Sequence, residues 1–254
     1  MPKRTDYSDG APAWLELSVP DLDRAKDFYG ALFGWTFKTD ESSPRKYTDA
    51  LRDGAKVAGL SQIPAGSGQP TVWATYLAAS DVDTTAADVV QLGGSILVEP
   101  FDVPGRGRAA VVRDATGAVV GLWQAGEHIG ADVINELGAS CWHEVLTNDI
   151  DGADDFYTSL FPLTLHRIDD QTTVLRLDDE PVGGRRKIGA NLQGVVPPHW
   201  EGYFWVEDTA QAVARIRQLG GKVRFGPVNT PHGPLAGVTD PFGAHFTVIV
   251  PTEW

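Results

Sequence analysis

Along residues 14–19 the side chains alternate, with Leu15, Leu17 and Val19 on one side and Trp14, Glu16 and Ser18 on the other, the period of a β-strand. The period then changes. Ala25, Phe28, Tyr29 and Leu32 fall at i, i+3, i+4 and i+7, which is one face of a helix. Asp21 or Asp23 can cap its start and Gly34 can end it. Strand patterns follow at 35–38, 47–52 and 56–62, with an Asp53-Gly54 hairpin turn between the last two. The pattern then restarts. A strand at 72–78 leads to Asp81 and a helix that carries Val82, Ala86, Val89 and Leu92 on one face. Gly93-Gly94 stops it, and strands fit at 95–98, 109–113 and 118–124.

The same strand–helix–three-strand order recurs from Ser140 and again from Trp200. Trp14-x-Glu16 returns as Trp142-x-Glu144, Asp21 as Asp149, Phe28-Tyr29 as Phe156-Tyr157 and Leu32-Phe33 as Leu160-Phe161, all offset by 128 residues. Trp73, Tyr76 and Leu92-Gly93-Gly94 return as Trp200, Tyr203 and Leu219-Gly220-Gly221 at an offset of 127, and Asp114-x-x-Gly117 as Asp240-x-x-Gly243 at 126. Ordered matches at a near-constant offset mark a duplicated domain. The halves are expected at 1–126 and 139–254, with a linker at 127–138.

A paired strand–helix–three-strand unit resembles the vicinal oxygen chelate superfamily, which includes glyoxalase I, bleomycin-resistance proteins and extradiol dioxygenases. The resemblance rests on Val19-Pro20-Asp21-Leu22-Asp23-Arg24-Ala25-x-x-Phe28-Tyr29-x-x-Leu32-Phe33-Gly34-Trp35 and on the closing Asp240-Pro241-Phe242-Gly243-Ala244. More narrowly, the opening MPKR, the stretch Trp123-Gln124-Ala125 with His128-Ile129-Gly130, and Trp142-x-Glu144 are similar to actinobacterial two-domain members labelled hydroxylases or glyoxalase-like proteins. It implies an α+β fold of two tandem glyoxalase-like domains, each built from two βαβββ modules that form a curved mixed-sheet cup with helices on its convex side. The fold hosts lyases, isomerases, oxygenases and drug binders, so function has to come from the site.

The chain has 254 residues and a formal net charge of −13, which argues against nucleic acid and anionic membranes as partners. Hydrophobic residues make up 42%, enough for a sizeable core, and no apolar run approaches the length of a membrane span. MPKRTDYSDG lacks the apolar stretch of a signal peptide, so a cytoplasmic location is expected. Cys141 is the only cysteine, which excludes intramolecular disulfides and cysteine-based zinc sites.

Catalytic members of the superfamily hold one divalent metal with His, Glu or Gln on the concave face. Counting from the repeat landmarks, the resemblance puts the ligand positions at Trp14, Ala74 and Gly121 in the first half and Trp142, Glu201 and Thr247 in the second. Only Glu201 ligates readily, because an indole N–H offers no lone pair. No metal and no cofactor are therefore expected. The same parity points Trp14, Glu16, Ser18, Ala74, Tyr76, Ala78, Val119, Gly121 and Trp123 into the first cup. It points Trp142, Glu144, Leu146, Glu201, Tyr203, Trp205, His245, Thr247 and Ile249 into the second.

The candidate ligand-binding residues are Trp14, Glu16, Tyr76, Trp123, Trp142, Tyr203 and Trp205, since Trp and Tyr give flat contact area with one polar tip. The alternative is that these aromatics fill the cups as core. Glu16 and Glu144 each sit between apolar neighbours, either hydrogen-bonded to a nearby Tyr or Trp or anchoring a ligand amine or hydroxyl. Small Ala74 and Gly121 suggest that the first cup has room for a flat ligand. Glu144, Glu201 and His245 form the candidate catalytic set of the second cup, suited to acid–base work if they converge. His128, His143, His166, His199 and His232 read as ordinary, and Cys141 as a buried inert thiol. Gly105–Arg108 and Gly183–Lys187 read as loops at the cup rims, where an arginine meets either an anionic ligand or only solvent. The leading expectation is a protein, monomeric or homodimeric, that binds an aromatic or amphipathic small molecule without the usual metal, in antibiotic resistance or secondary metabolism. The alternative is an enzyme of lyase, isomerase or oxygenase type with its site in the second cup, and a third reading leaves both cups vestigial.

Overall fold

In the computed structural model, which describes residues 3–190 and 192–252, the strand–helix–three-strand order recurs four times. Met1 and Pro2 of the opening stretch and the last two residues of the second half lie outside the described residues. The first half runs β1 (Pro12–Val19), α1 (Leu22–Phe33), β2 (Thr36–Thr39), β3 (Thr48–Arg52), β4 (Ala55–Gln62), β5 (Trp73–Ala78), α2 (Val82–Gln91), β6 (Ser95–Val103), β7 (Gly107–Arg113) and β8 (Val119–Ala125). The second runs β9 (Ser140–Thr147), α3 (Ile150–Leu160), β10 (Thr164–Arg167), β11 (Thr172–Leu177), β12 (Glu180–Lys187), β13 (His199–Trp205), α4 (Thr209–Gln218), β14 (Lys222–Thr230), β15 (Gly233–Thr239) and β16 (His245–Ile249).

The strands form two mixed sheets of eight, ordered β2-β3-β4-β1-β5-β8-β7-β6 and β10-β11-β12-β9-β13-β16-β15-β14. The architecture is α+β, with two βαβββ modules in each sheet. All four helices start on an aspartate, Asp21, Asp81, Asp149 and Asp208, whose carboxylate accepts a backbone N–H three residues on. Gly34 closes α1 in the left-handed region, φ 71°.

Two segments depart from the sequence reading. Gly183–Lys187 is not a rim loop but part of β12, with Arg185 buried against Asp154 at 2.7 Å and Arg186 on the opposite face. Alternation of one buried and one half-exposed arginine is strand parity that the glycines obscure. β6 and β14 each run nine residues, longer than the 95–98 expected of the first, because bulges between Ile96 and Val98 and between Val223 and Phe225 prolong the pairing.

The core does not divide at the linker. One cluster joins Leu15, Leu17, Phe28, Tyr29 and Trp73 of the first half to Phe204, Val213, Ile216, Phe246 and Val248 of the second. The other joins Leu77, Val82, Val89 and Leu122 to Val145, Phe156, Tyr157 and Trp200. The two sheets thus pack by their convex faces, and Gly202 is small because Leu15 Cδ1 lies 2.9 Å from where a Cβ would stand. Reciprocal hydrogen bonds tie the halves together. The Tyr29 hydroxyl donates to Asp240 Oδ2 at 3.0 Å and accepts from Trp73 Nε1 at 3.0 Å. The Tyr157 hydroxyl donates to Asp114 Oδ2 at 2.7 Å and accepts from Trp200 Nε1 at 2.9 Å. Both aspartates also cap their own turns, by accepting from Thr116 and Ala118 or from Phe242 and Ala244. The concave faces are left to form the cups.

Candidate functional site in the second cup

Strand parity places every inward candidate on a concave face, but the cups differ in what those residues do. In the first, the aromatic faces are used by the protein itself. Trp14 is 4% exposed and donates its indole N–H to the Tyr47 hydroxyl at 3.0 Å. The linker turns into this cup and lodges His128 against both tryptophans, with ring centroids 4.5 Å from Trp14 and 5.5 Å from Trp123. Trp123 donates to the His128 carbonyl at 2.8 Å. His128 had looked like an ordinary linker residue. It is 4% exposed, neither ring nitrogen has a partner, and burial lowers its pKa to about 4. The room expected at Gly121 is taken too, since the Tyr76 ring lies directly on it. Glu16 accepts from the Ser61 hydroxyl at 3.2 Å, and burial pushes its carboxyl above the ordinary value despite Arg45 nearby. Arg106 clamps Asp49 bidentately at 2.8 and 3.0 Å from the turn before β7, whereas Gly107 and Arg108, read as part of a rim loop, open that strand.

The second cup carries an ionic floor. Glu144 and Glu201 are direct cross-strand partners on β9 and β13, and each is 5% exposed. Two carboxylates side by side require cations, and both find an arginine. Arg186 Nε donates to Glu144 Oε2 at 2.8 Å, and the Tyr203 hydroxyl donates to the same oxygen at 2.8 Å. Arg224 Nη1 reaches both Glu201 oxygens, at 3.1 and 3.0 Å, and the Thr247 hydroxyl donates to Oε1 at 2.8 Å. Burial alone would raise the Glu201 pKa, but His199, Arg224 and Thr247 outweigh it and hold the carboxyl at about 2. Burial and Glu144 push the Tyr203 hydroxyl well above its usual range.

The candidate catalytic set is only partly assembled. Glu144 and Glu201 adjoin, but the histidine that reaches Glu201 is His199, at 3.4 Å, while exposed His245 has no hydrogen bond to either glutamate. Burial, with Arg224 close by, lowers the pKa of His245. Half-exposed Trp142 and Trp205 pack against one cluster of Cys141, Tyr203 and Ile249, and Trp205 also edges a groove of about 630 Å³ between α1 and α4. Cys141 is buried, with its thiol pushed up to about 12, and is chemically quiet. Arg224 is the residue that sequence reasoning missed, His199 was read as ordinary, and Arg186 was placed on a rim loop rather than on β12.

The halves themselves supply the signal that was missed. At the repeat offsets, His199, Glu201, Arg224, His245 and Thr247 correspond to Val72, Ala74, Leu97, Val119 and Gly121. The ladders agree: Glu201 pairs with Glu144 as Ala74 pairs with Glu16, and Thr247 pairs with Tyr203 as Gly121 pairs with Tyr76. Arg224 and Leu97 are each the residue skipped by the bulge in their edge strand. A contiguous polar group therefore stands in one cup where the other has only apolar or small residues. Beside it, Phe225 and Val228 are 41% and 45% exposed, and the Phe225 ring lies over Gly237.

These residues do not fit a catalytic divalent metal. Of the positions implied by the fold, Trp14 already donates to Tyr47, Ala74 and Gly121 carry no donor, and Trp142 offers none. Thr247 donates to Glu201, and Glu201 is already bound by a guanidinium. Among the described residues no group of three or more His, Cys, Asp or Glu is placed to hold a metal ion. Nor is any helix among them long and apolar enough to cross a membrane.

Residues 11–122 match the family model described as the glyoxalase/bleomycin resistance protein/dioxygenase superfamily. Over 261 residues the chain is 39% identical to the Mycobacterium tuberculosis protein named "Putative glyoxylase CFP32", covering 99% of this chain and 98% of that one. It is 38% identical over 263 residues to the anthracycline biosynthesis protein DauV of Streptomyces sp. strain C5, covering 96% and 94%. Among solved structures, the Mn(II)-bound glyoxalase from Novosphingobium aromaticivorans aligns with a TM-score of 0.65 at 16% identity, over 97% of this chain and 84% of that one. The 2,3-dioxygenase LapB from Pseudomonas sp. KL28 aligns with a TM-score of 0.64 at 13% identity, over 96% and 93%. At these identities the structural likeness speaks for the fold alone.

Proposed function

The chain belongs to the glyoxalase/bleomycin resistance protein/dioxygenase superfamily, and from that premise we propose that it binds a planar aromatic small molecule of secondary metabolism in its second cup, without the family's metal. The observation that carries this reading is the replacement of Val72, Ala74, Leu97, Val119 and Gly121 by His199, Glu201, Arg224, His245 and Thr247 next to the exposed apolar strip of Phe225 and Val228. A polar end beside a flat apolar surface suits an amphipathic aromatic. A full-length relative named for anthracycline biosynthesis points to polycyclic aromatics of that kind. The first cup is a poor competitor, because His128 and Tyr47 engage the tryptophans that a ligand would stack on.

The reading is tested by titrating the purified protein with anthraquinone-2-carboxamide or anthraquinone-2-carboxylate and following tryptophan emission. Saturable quenching is expected with at least one of them. Phe225→Ala should weaken it about tenfold, the loss of one aromatic contact, and Phe101→Ala in the first half should leave it unchanged. Absence of saturable quenching with both probes, or sensitivity to Phe101→Ala alone, refutes the assignment. Conversion of the probe to a new product would transfer it to an enzyme using the same cup.

A further inference from the structure

Resting on that reading of the second cup, we infer that its ligand is an aromatic monoanion, a carboxylate or phenolate whose oxygens are received by Arg224. The guanidinium takes the role at the polar end of the cup that a metal ion would otherwise have. The argument starts from how Arg224 is held. It meets Glu201 end-on, with Nη1 alone reaching both carboxylate oxygens at 3.1 and 3.0 Å, rather than side by side through two nitrogens. Among the described residues, Nε and Nη2 make no hydrogen bond. They form the parallel donor pair that matches a carboxylate. The Arg224 side chain is 22% exposed, so that edge is reachable from outside.

Charge balance points the same way. Glu144 is matched by Arg186 and Glu201 by Arg224, so neither carboxylate of the floor is unpaired before a ligand arrives. An incoming anion then meets no unpaired carboxylate. Glu201 cannot offer a strong site to a ligand cation, because Arg224, Thr247 and His199 already occupy its lone pairs. In the first cup the residue at the same bulge is Leu97, 42% exposed, facing no carboxylate, since Ala74 stands where Glu201 does. Arginine and glutamate are thus present together or absent together, and only the arginine retains free donors. Phe225, its neighbour on β14, lies over Gly237 and supplies the face on which the ring of the ligand rests.

The experiment compares anthraquinone-2-carboxylate with anthraquinone-2-carboxamide, equal in shape and differing in charge, on the full-length protein. The wild type should bind the carboxylate at least about tenfold more tightly, and rising salt should weaken that binding but not the carboxamide's. Arg224→Gln alone strands a buried carboxylate and can unfold the cup, so the decisive variant is Arg224→Gln/Glu201→Gln, which removes both charges. There the preference should fall to within about twofold, whereas Arg224→Lys, which keeps the charge and loses the fork, should retain part of it. Equal binding of the two probes by the wild type, or a preference that survives in the double variant, overturns the inference and leaves the aromatic site standing. If neither probe saturates, the site and the inference fall together.

Discussion

Tyr29→Phe isolates the lock between the halves. The substitution keeps the ring, which packs against Trp35 and Trp73 with centroids 5.6 and 5.4 Å away, and deletes only the hydroxyl. Two bonds are lost. One is donated to Asp240 at 3.0 Å, and bonds to charged groups contribute about 1.5–3 kcal/mol. The other comes from Trp73 Nε1 at 3.0 Å, and the indole N–H is left buried without a partner at a cost of about 1–3 kcal/mol. Overlap between the terms brings the expectation to about 3–5 kcal/mol, a large share of the stability of a typical domain. The assay is equilibrium urea unfolding followed by tryptophan emission and far-UV circular dichroism. Tyr157→Phe should behave alike, because Asp114 and Trp200 contact its hydroxyl at 2.7 and 2.9 Å. With both hydroxyls gone the two probes should report a single transition at lower urea, since each core cluster still contains residues of both halves. A loss below about 1 kcal/mol for either single variant, or separate transitions for the two halves, would refute the account of a shared core held by the reciprocal pair.

Acid should destabilise the protein by protonating its buried histidines. Burial holds His128 at about 4 and His143 at about 3, below the ordinary histidine value, so their neutral forms favour the fold above pH 6.5. That contribution is lost as pH falls from 6.5 towards 4 and 3, about 3 kcal/mol for His128 alone, and His128→Phe should flatten the slope of stability against pH in that window. An unchanged slope would contradict the burial of an unpartnered imidazole. Dialysed protein should contain less than about one equivalent of divalent metal, and chelation should leave its melting temperature unchanged. Stoichiometric iron, zinc, nickel or manganese by elemental analysis would show that the donor argument at Glu201 fails.

Helix faces, strand parity and the duplicated order were legible because each is a local period, and the four aspartate caps follow from it. The packing partner of each sheet was not. Phe28 and Tyr29 fall on one predicted helix face and are buried, but the cluster they join includes Phe204 and Phe246, some 170 residues or more further along. No period in a sequence reports which convex face meets which. Site residues were legible in direction and not in bonding. Glu144 and Glu201 point into the cup as alternation requires, yet their arginines come from β12 and β14, strands whose glycines and bulges hide the parity. Gly121 shows the opposite error. A small residue was read as space, whereas a glycine opposite a tyrosine in the ladder is the seat of that ring.

The internal repeat was the strongest signal in the chain, and its identities mark packing. Tyr29 and Tyr157, Trp73 and Trp200, and Asp114 and Asp240 recur because each half supplies the other's lock, so a change on one side would strand a buried group on the other. No such reciprocity binds the concave faces. The first cup could accept Leu97 and Ala74, and the second Arg224 and Glu201, without disturbing either core cluster. Within each cup, however, the changes are tied to one another. A lone Glu201 would be a buried unpaired carboxylate, and Arg224 is what makes it tolerable. The pair taken alone offers little net stability, because burying two charges offsets most of their attraction. Thr247 and His199 donate to Glu201 but offer no acceptor to Arg224, whose Nε and Nη2 groups have no hydrogen-bond partner among the described residues. A purely structural pair would be expected to close on itself. This one satisfies the acid and leaves the base open, which is the arrangement of a site that presents a cation.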